Sequence, residues 1–485
     1  MQEQADVGLI GLAVMGQNLV LNMNDHGYTV AVYNRTKEKI DRFVDGPAKG
    51  RETILPAYSV EELIRSLKRP RRIILMVKAG EVVDKFIDSL LPHLTEGDIV
   101  MDGGNSHFPD STRRTEDLAK RGILFVGSGI SGGEEGARYG PSIMPGGNPK
   151  AWPEMKPILQ AIAAKAPDGA PCCDWVGENG AGHYVKMVHN GIEYGDMQLI
   201  SEAYHLMKVG LGMRQEEMRD VFARWNETEL DSFLIEITRE ILGYKDEEGE
   251  YLLEKIVDAA GQKGTGKWTG INALHNGIPV TLIVEAVFAR SLSALKELRV
   301  EASQSLTGPT GTIRADRDRF VEEIRKALLA SKVVSYAQGF MLMKSASEEH
   351  GWNINYGSVA AMWRAGCIIR SVFLGEIKSA FDKNRNLHNL LLDDYFEEIV
   401  RGAQDSWRRV VSEAALAGIP VPAFSTALAF YDGYRSAWLP ANMIQAQRDY
   451  FGAHTYERVD KPRGEFFHTN WTGTGGEVSA STYNA

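Results

Sequence analysis

Lys186, His189, Asn190, Glu193 and Tyr194 lie at spacings i, i+3, i+4, i+7 and i+8. On an α-helix those positions form one stripe. Stripes at this spacing normally carry apolar side chains that face a core. This one carries a base, an imidazole, an amide, an acid and a phenol. The surrounding stretch, Gly180-Ala-Gly-His-Tyr-Val-Lys-Met-Val-His-Asn-Gly-Ile-Glu-Tyr-Gly-Asp, is small or apolar on its other faces. Such a helix is expected to be mostly buried, with the polar stripe lining a cavity. Buried polar groups need partners or a polar ligand. A solvated stripe on a surface helix is the ordinary alternative, and the rest of the chain weighs against it. The chemistry on offer is acid–base work. Desolvation and neighbouring cations keep a lysine neutral, ready to take a proton. Once protonated it becomes an electron sink, so no metal is required. Glu193 lies seven residues on, roughly 10 Å along a helix axis. The two groups could then reach two ends of one bound ligand.

The elements that position this stripe belong to a large chain. Its 485 residues suffice for two or three domains with a sizeable core. Lys+Arg number 54 and Asp+Glu 64, a net charge of −10. That balance argues against nucleic acid or an anionic membrane as a partner. An anionic ligand must then meet a local basic cluster. The three cysteines, Cys172, Cys173 and Cys367, show no zinc spacing, and the adjacent pair would bridge only under strain. A reducing compartment, the cytoplasm, is expected. The apolar run Val7 to Leu21 follows a leader without positive charge, unlike a signal peptide. No apolar stretch is long enough to span a bilayer.

The N-terminal third reads as an α/β nucleotide-binding sheet. A strand, Asp6 to Ile10, runs into Gly11-Leu12-Ala13-Val14-Met15-Gly16, then a helix to about His26, then a strand from Thr29 to Tyr33. This is a βαβ unit with a glycine-rich first turn in which alanine replaces the middle glycine. An NAD site places an acid at the end of the second strand. Here Asn34-Arg35-Thr36 stands there, and Arg35 suits a 2′-phosphate, so NADP is expected. Further strands are expected at Arg72–Val77, Asp98–Asp102 and Ile123–Val126, with a helix from Val82 to His93. The segments Pro141 to Pro145 and Pro171 to Trp175 should extend the sheet at its edge. Ligands bind beyond the carboxyl ends of such strands. Val77-Lys78-Ala79, Asn105 and Ser131-Gly132-Gly133 lie at those ends, the last as a glycine turn with a hydroxyl and exposed N–H groups, an anion cradle.

From about Gly180 to Pro440 the pattern turns helical. Tyr204 to Lys208 resembles Gln338 to Lys344, and Trp225 and Trp363 follow at a similar offset, which suggests a duplicated helical unit. Chance similarity between amphipathic helices is the other reading. Gly261-Gln-Lys263-Gly-Thr265-Gly-Lys-Trp-Thr269 is a glycine-spaced basic loop suited to phosphate. Arg290 follows an apolar helix face, as a snorkelling surface residue or a buried anion ligand. After Pro440 the tail is aromatic and polar around Arg448 and His454, then glycine-rich from Asn470. It has little apolar material for a core, so another surface, a second subunit, is expected to order it.

Taken together, these motifs resemble the 6-phosphogluconate dehydrogenase (decarboxylating) family, in its long, dimeric form, over nearly the whole chain. The resemblance rests on Gly11 to Gly16, Asn34 to Thr36, Gly127 to Gly136, Lys186 to Tyr194, Gln262 to Thr269 and Arg448 to His454. It implies oxidative decarboxylation of 6-phospho-D-gluconate to D-ribulose 5-phosphate in the pentose phosphate pathway, with NADP as hydride acceptor. It implies that Lys186 takes the proton of the 3-hydroxyl and that, after CO2 is lost, Glu193 protonates C1 of the resulting enediol, the former C2. Tyr194, Lys263, Thr265, Arg290 and the partner subunit's Arg448 would hold the phosphate. Asn105, Ser131, Gly132, Gly133, His189, Asn190 and the partner subunit's His454 would hold the sugar acid. NADP would meet residues 11–16, 34–36, 77–79 and Asn105.

The expected architecture is an NADP-binding Rossmann-like domain with an extended mixed sheet (1–179), an all-helical substrate and dimerisation domain (180–437) and a tail contacting the partner subunit (438–485). Two alternatives compete: a related β-hydroxyacid dehydrogenase, such as one acting on hydroxyisobutyrate, and a catalytically silent NADP-binding protein. The extra helical unit, the Lys263–Thr265 loop and the tail argue against the first. An intact Lys186 and Glu193 argue against the second.

Overall fold

A computed structural model describes residues 4–309 and 311–475. Leu9 and Ile10, Val30 and Val32, and Ile73 to Leu75 belong to short β-branched or aliphatic runs buried on both faces, as parallel strands covered by helices must be. Eight strands form one sheet: β1 (Val7–Ile10), β2 (Val30–Tyr33), β3 (Ile54–Pro56), β4 (Arg72–Leu75), β5 (Ile99–Asp102), β6 (Leu124–Ser131), β7 (Ser142–Gly147) and β8 (Gly177–Glu178). Their order is β3-β2-β1-β4-β5-β6-β7-β8, and only the β6–β7 pair is antiparallel. The first six strands have the doubly wound nucleotide-binding order, which opens a crevice where the order reverses between β1 and β4. The connecting helices are α1 (Val14–Asp25), α2 (Lys37–Asp45), α3 (Val60–Ser66), α4 (Glu81–Leu90), α5 (Phe108–Ala119), α6 (Gly133–Tyr139) and α7 (Trp152–Ile162).

The chain then turns helical, through α8 (Ala181–His205), α9 (Gln215–Trp225), α10 (Phe233–Gly243), α11 (Thr265–His275), α12 (Thr281–Ser293) and α13 (Lys296–Ser305). It continues through α14 (Arg317–His350), α15 (Tyr356–Met362), α16 (Leu374–Lys383), α17 (Asp394–Ala417), α18 (Pro422–Tyr434) and α19 (Ala441–Gly452). The two stretches that echo each other in sequence occupy similar places: a long helix (α8, α14) followed by two short ones (α9 and α10, α15 and α16). Among the described residues no helix is long and apolar enough to cross a membrane. All three cysteines are free and buried.

Three local expectations change. The edge strand expected at Pro171–Trp175 is only two isolated bridges, Ile143 to Cys173 and Lys165 to Pro171, and the paired strand β8 comes later. A short strand, β3, was not foreseen. The strand expected to end at Val126 continues as β6 to Ser131, and the turn is Gly132-Gly133.

The chain divides into two compact units, 1–427 and 428–485. The second was expected to lack internal order, yet its described part has a polar centre. The fully buried Asp449 carboxylate accepts hydrogen bonds from the Thr455 and Thr469 N–H groups, His468 Nδ1 and Trp471 Nε1, at 2.8–3.0 Å. Burial alone would raise this carboxyl's pKa, but the donors hold it below its ordinary value. Strands β9 (Tyr456–Glu457) and β10 (Phe466–Phe467) pair beside it. Apolar side chains stay outside: Trp438, Met443, Tyr450 and Phe451 are exposed. Residues 476–485 of the expected tail lie outside the described residues.

Candidate active site

Helix α8 carries the polar stripe and lies against β6 and β7. It can approach so closely because the strands offer glycines. A Cβ on Gly129 would sit 2.2 Å from the Lys186 Cβ, and one on Gly182 would sit 2.3 Å from the Gly127 carbonyl oxygen. The result is a lysine 6% exposed. Its Nζ donates to Asn190 Oδ1 at 2.7 Å and lies 3.3 Å from His189 Nδ1. Both partners are neutral, and no carboxylate lies within ion-pairing distance of Lys186 among the described residues. Burial therefore pushes the lysine pKa below its ordinary value, with Glu193 opposing. His189 is driven well below its usual range by burial and by the Lys186 charge. Its Nε2 meets Ser131 Oγ at 3.3 Å, which links the stripe to the end of β6.

Glu193 sits two turns along the same face, 3.8 Å from His189 Nδ1. Burial raises its pKa, against the pull of Lys186 and Arg290. Desolvation thus moves both groups of the Lys186–Glu193 pair toward their neutral forms, a base and an acid on one helix face. Tyr194, one residue on, packs under Arg290, whose Cζ is 3.6 Å from the ring centroid. The Arg290 guanidinium also donates to the Gly261 carbonyl at 3.3 Å.

The loop expected to bind phosphate is the approach to α11. Thr265 is the first residue of that helix and no side chain caps it. Its free N–H groups and helix dipole suit an anion. Thr269 Oγ1 donates to the Met187 carbonyl at 2.9 Å, which fixes α11 against α8. Lys263 is exposed just before the helix, and Thr265 is buried. Asn105, Lys186, Asn190 and Thr265 line one cavity. Ser106, His183 and Trp268 line it too, and none of the three was singled out from sequence. The signal for His183 was present, since it precedes Lys186 by three positions on the same stripe. A larger cavity of about 970 Å³ lies beyond the stripe, between the C-terminal half of α8 and α12. Its walls are mainly apolar and include none of the stripe residues.

The nucleotide crevice is built at the β1–α1 turn. Gly11 has φ +108°, and a Cβ there would meet the Met76 carbonyl oxygen at 2.3 Å. Ala13 stands where the usual fingerprint has its middle glycine; its φ of −85° requires no glycine. Ala13 and Val14 are exposed, Met15 is half-buried and Gly16 is buried beneath the turn. No side chain caps α1, so its first N–H groups remain open to a pyrophosphate. The Leu12 N–H donates to Asn34 Oδ1 at 3.1 Å, which ties the turn to the end of β2. Arg35 and Thr36 follow, both exposed, and Arg35 has no ion pair among the described residues. Val77 and Ala79 are half-buried and Lys78 exposed in the turn after β4. Asn105 is exposed after β5. Ser131 is buried at the end of β6, with Gly132 half-buried and Gly133 exposed at the start of α6. These features fit a dinucleotide with a 2′-phosphate: a glycine cradle, an uncapped helix and an unpaired arginine. Among the described residues no group of three or more His, Cys, Asp or Glu could hold a metal ion.

Arg448 and His454 belong to the 428–485 unit. The Arg448 Nη1 donates to Gln445 Oε1 at 3.0 Å. His454 Nδ1 is buried without a partner.

Comparison with known proteins agrees with this geometry. Residues 6–177 match the model of the NAD binding domain of 6-phosphogluconate dehydrogenase, and residues 182–471 match that of the 6-phosphogluconate dehydrogenase C-terminal domain. A Mus musculus protein named 6-phosphogluconate dehydrogenase, decarboxylating, is 66% identical over 99% of this chain and 100% of its own length. The Haemophilus influenzae protein of the same name is 63% identical over 100% of both. Among solved structures, Plasmodium falciparum 6-phosphogluconate dehydrogenase, determined as apoenzyme, with NADP+ and with 6-phosphogluconate, superposes with a TM-score of 0.93. It shares 45% identity and covers 96% of this chain and 100% of its own.

Proposed function

The chain belongs to the 6-phosphogluconate dehydrogenase family, and from that premise we propose how its own residues carry the reaction. It is an NADP-dependent enzyme that oxidises and decarboxylates 6-phosphogluconate to ribulose 5-phosphate. NADP, when bound, supplies the acceptor for the C3 hydride. Residues 11–16 and the N-terminus of α1 would cradle its pyrophosphate, Arg35 with Asn34 and Thr36 would take the 2′-phosphate, and residues 77–79 and Asn105 would hold the nicotinamide end.

The observation that carries the mechanism is the Lys186 amine, buried with only neutral partners. It starts uncharged and takes the proton of the substrate's 3-hydroxyl as the hydride leaves C3. The product is a β-keto acid. Lys186, now an ammonium, polarises the C3 carbonyl and gives its proton to that oxygen as the C1–C2 bond breaks and CO2 departs, which leaves an enediol. The Glu193 carboxyl, its pKa raised by burial, delivers a proton to the carbon that CO2 left (the substrate's C2, C1 of the product), while the enediol hydroxyl at the former C3 returns its proton to Lys186. Thr265 at the start of α11, Lys263, Arg290 and Tyr194 hold the phosphate at one end. Asn105, Ser131, Gly132, Gly133, His189 and Asn190 hold the hydroxyls and carboxylate. Lys186→Ala should abolish NADPH formation from 6-phosphogluconate, with CO2 followed in parallel. Full turnover in that variant would overturn the assignment.

We further propose a homodimer in which the partner subunit's Arg448 and the partner subunit's His454 complete each pocket. Support comes from exposed apolar side chains on α12 and α13, Phe288, Leu292 and Leu298 among them, and from Trp438, Met443 and Phe451 in the tail. The functional division that goes with this reading is 1–179 for NADP, 180–437 for substrate and dimerisation, by duplication of a helical unit, and 438–485 for the partner. Three unpaired buried cysteines suit the cytoplasm.

A further inference from the structure

We propose that His183 is a positioning residue that ties the turn bearing Asn105 to the helix bearing Lys186. The inference rests on the roles proposed above for those two residues. His183 precedes Lys186 by one turn of α8 and is 1% exposed. Both ring nitrogens are engaged. Nε2 meets the Gly104 carbonyl oxygen at 3.0 Å, and Nδ1 meets Ser111 Oγ of α5 at 2.6 Å. A carbonyl only accepts, so Nε2 carries the proton and the Ser111 hydroxyl donates to Nδ1. Burial keeps the imidazole neutral by lowering its pKa, in keeping with that single N–H.

The same turn is held from its other side. Asp102 accepts from the Gly104 N–H at 3.0 Å and from the Ser106 hydroxyl at 2.6 Å. Arg114, 2% exposed, donates to Asp102 at 3.3 Å. Gly104 is therefore clamped through its N–H by the sheet and through its carbonyl by α8. Asn105, between the clamped Gly104 and Ser106, is exposed and makes no hydrogen bond among the described residues. Its amide is left free while its backbone is fixed on both sides. The ring has room because residue 127 is glycine: a Cβ there would lie 2.8 Å from Nδ1. A ring retained only for packing would not need both nitrogens matched to polar partners. Here they set the distance between a substrate-binding amide and the base.

The test compares His183→Phe, His183→Gln and Ser111→Ala, each as full-length enzyme. Phenylalanine keeps a ring but donates nothing to Gly104. Glutamine places an amide N–H near the position of Nε2. Misplacing bound substrate by about 1 Å costs on the order of a hundredfold. His183→Phe should lower kcat/KM for 6-phosphogluconate by about tenfold to a hundredfold, with the Kd for NADP in the absence of substrate moved far less, because residues 11–16 and 34–36, assigned to its phosphates, are untouched and only the nicotinamide end borders Asn105. His183→Gln should recover most of that loss. Ser111→Ala should move kcat/KM in the same direction, and adding it to His183→Phe should cost little more, because the two share one linkage. His183→Phe with wild-type kcat/KM would overturn the proposal. So would a parallel loss of nucleotide affinity and melting temperature that glutamine fails to restore. Lys186→Ala, assayed alongside, separates the two readings: an active Lys186→Ala refutes the base assignment, whereas an inactive one beside an unaffected His183→Phe refutes only the tie.

Discussion

Gly129→Ala tests whether the close approach of α8 to β6 positions the base. The added Cβ would lie 2.2 Å from Lys186 Cβ, 2.5 Å from Cγ and 3.1 Å from Cδ. The first of these atoms is fixed by the helix backbone and cannot swing aside. Ordinary contact begins near 3.4 Å, so strand and helix must part by at least about 1.2 Å at this point. At Gly129 strand β6 is paired to Met144 of β7, and its ladder to β5 ends two residues earlier at Gly127, so the sheet anchors the strand and α8 is the element that yields. The hydrogen bond from His189 to Ser131, already 3.3 Å, should not survive such a shift. A displacement of this size predicts a loss in kcat of about a hundredfold. Overpacking should also cost about 1–3 kcal/mol of stability, which the large core can absorb. Steady-state kinetics with 6-phosphogluconate, NADP binding by fluorescence and a thermal melt read the three effects separately. The expected pattern is a collapse of kcat with NADP affinity nearly unchanged. Because Gly129 is not among the glycines with positive φ, backbone strain is not a competing cause. A variant that turns over within about threefold of wild type would refute the reasoning, since the lysine stem would then have tolerated a methyl group in its own space.

Arg35→Ala should raise KM for NADP by about tenfold or more, from the loss of roughly 1.5–3 kcal/mol of charge-assisted hydrogen bonding, and leave NAD nearly unaffected; equal losses would rule out contact with the 2′-phosphate. Glu202 lies buried on α8 and accepts from the Ala423 and Phe424 N–H groups at the start of α18, and burial raises its carboxyl from 4.5 to about 7. A raised folded-state pKa means stability present below 4.5 is lost as pH climbs through 7, up to about 3 kcal/mol; the melting temperature of Glu202→Gln relative to wild type should therefore grow across that window and level off above it, and a pH-independent difference would contradict this. Asp449→Asn puts an amide N–H against donors at one end of the carboxylate, so the tail should become protease-sensitive and 6-phosphogluconate should bind more weakly while NADP binds as before; an unaltered digestion pattern would count against Asp449 as the organising group. Mixing Arg448→Ala and Lys186→Ala chains, each nearly inactive, should restore about half the sites of each mixed dimer, and no recovery after verified subunit exchange would show that each chain completes its own pocket.

The nucleotide half was readable because its signals are local. A buried apolar run, a glycine turn and a helix succeed one another within the first strand–helix–strand unit, and the missing acid after Tyr33 stands beside Arg35 in the sequence. Strands β3 and β8 escaped because three and two residues carry no period. The polar stripe was readable for the same reason as the strands: its spacing lies along one element. What spacing along one element cannot show is how closely two elements approach. In the sequence Gly127 and Gly129 lie between the strand expected at Ile123–Val126 and the turn at Ser131–Gly133. In the fold they are strand residues, glycine because α8 lays His183 and Lys186 across them. Arg290 leaves two readings open in the sequence, and its stacking over the Tyr194 ring, a residue 96 positions earlier, is a contact that spacing could not show. In the tail, the expectation of little internal order came from counting apolar residues, whereas order there comes from one buried carboxylate whose donors follow it by six to 22 residues. A polar centre of that kind has no periodicity to read. The same limit hid His183: its type and stripe position were visible, but its partners, Gly104 and Ser111, lie 79 and 72 residues away. Residues that do the chemistry can be found by their own type and spacing. Those that hold them at the right distance are defined by pairs, and only the folded chain brings the pairs together.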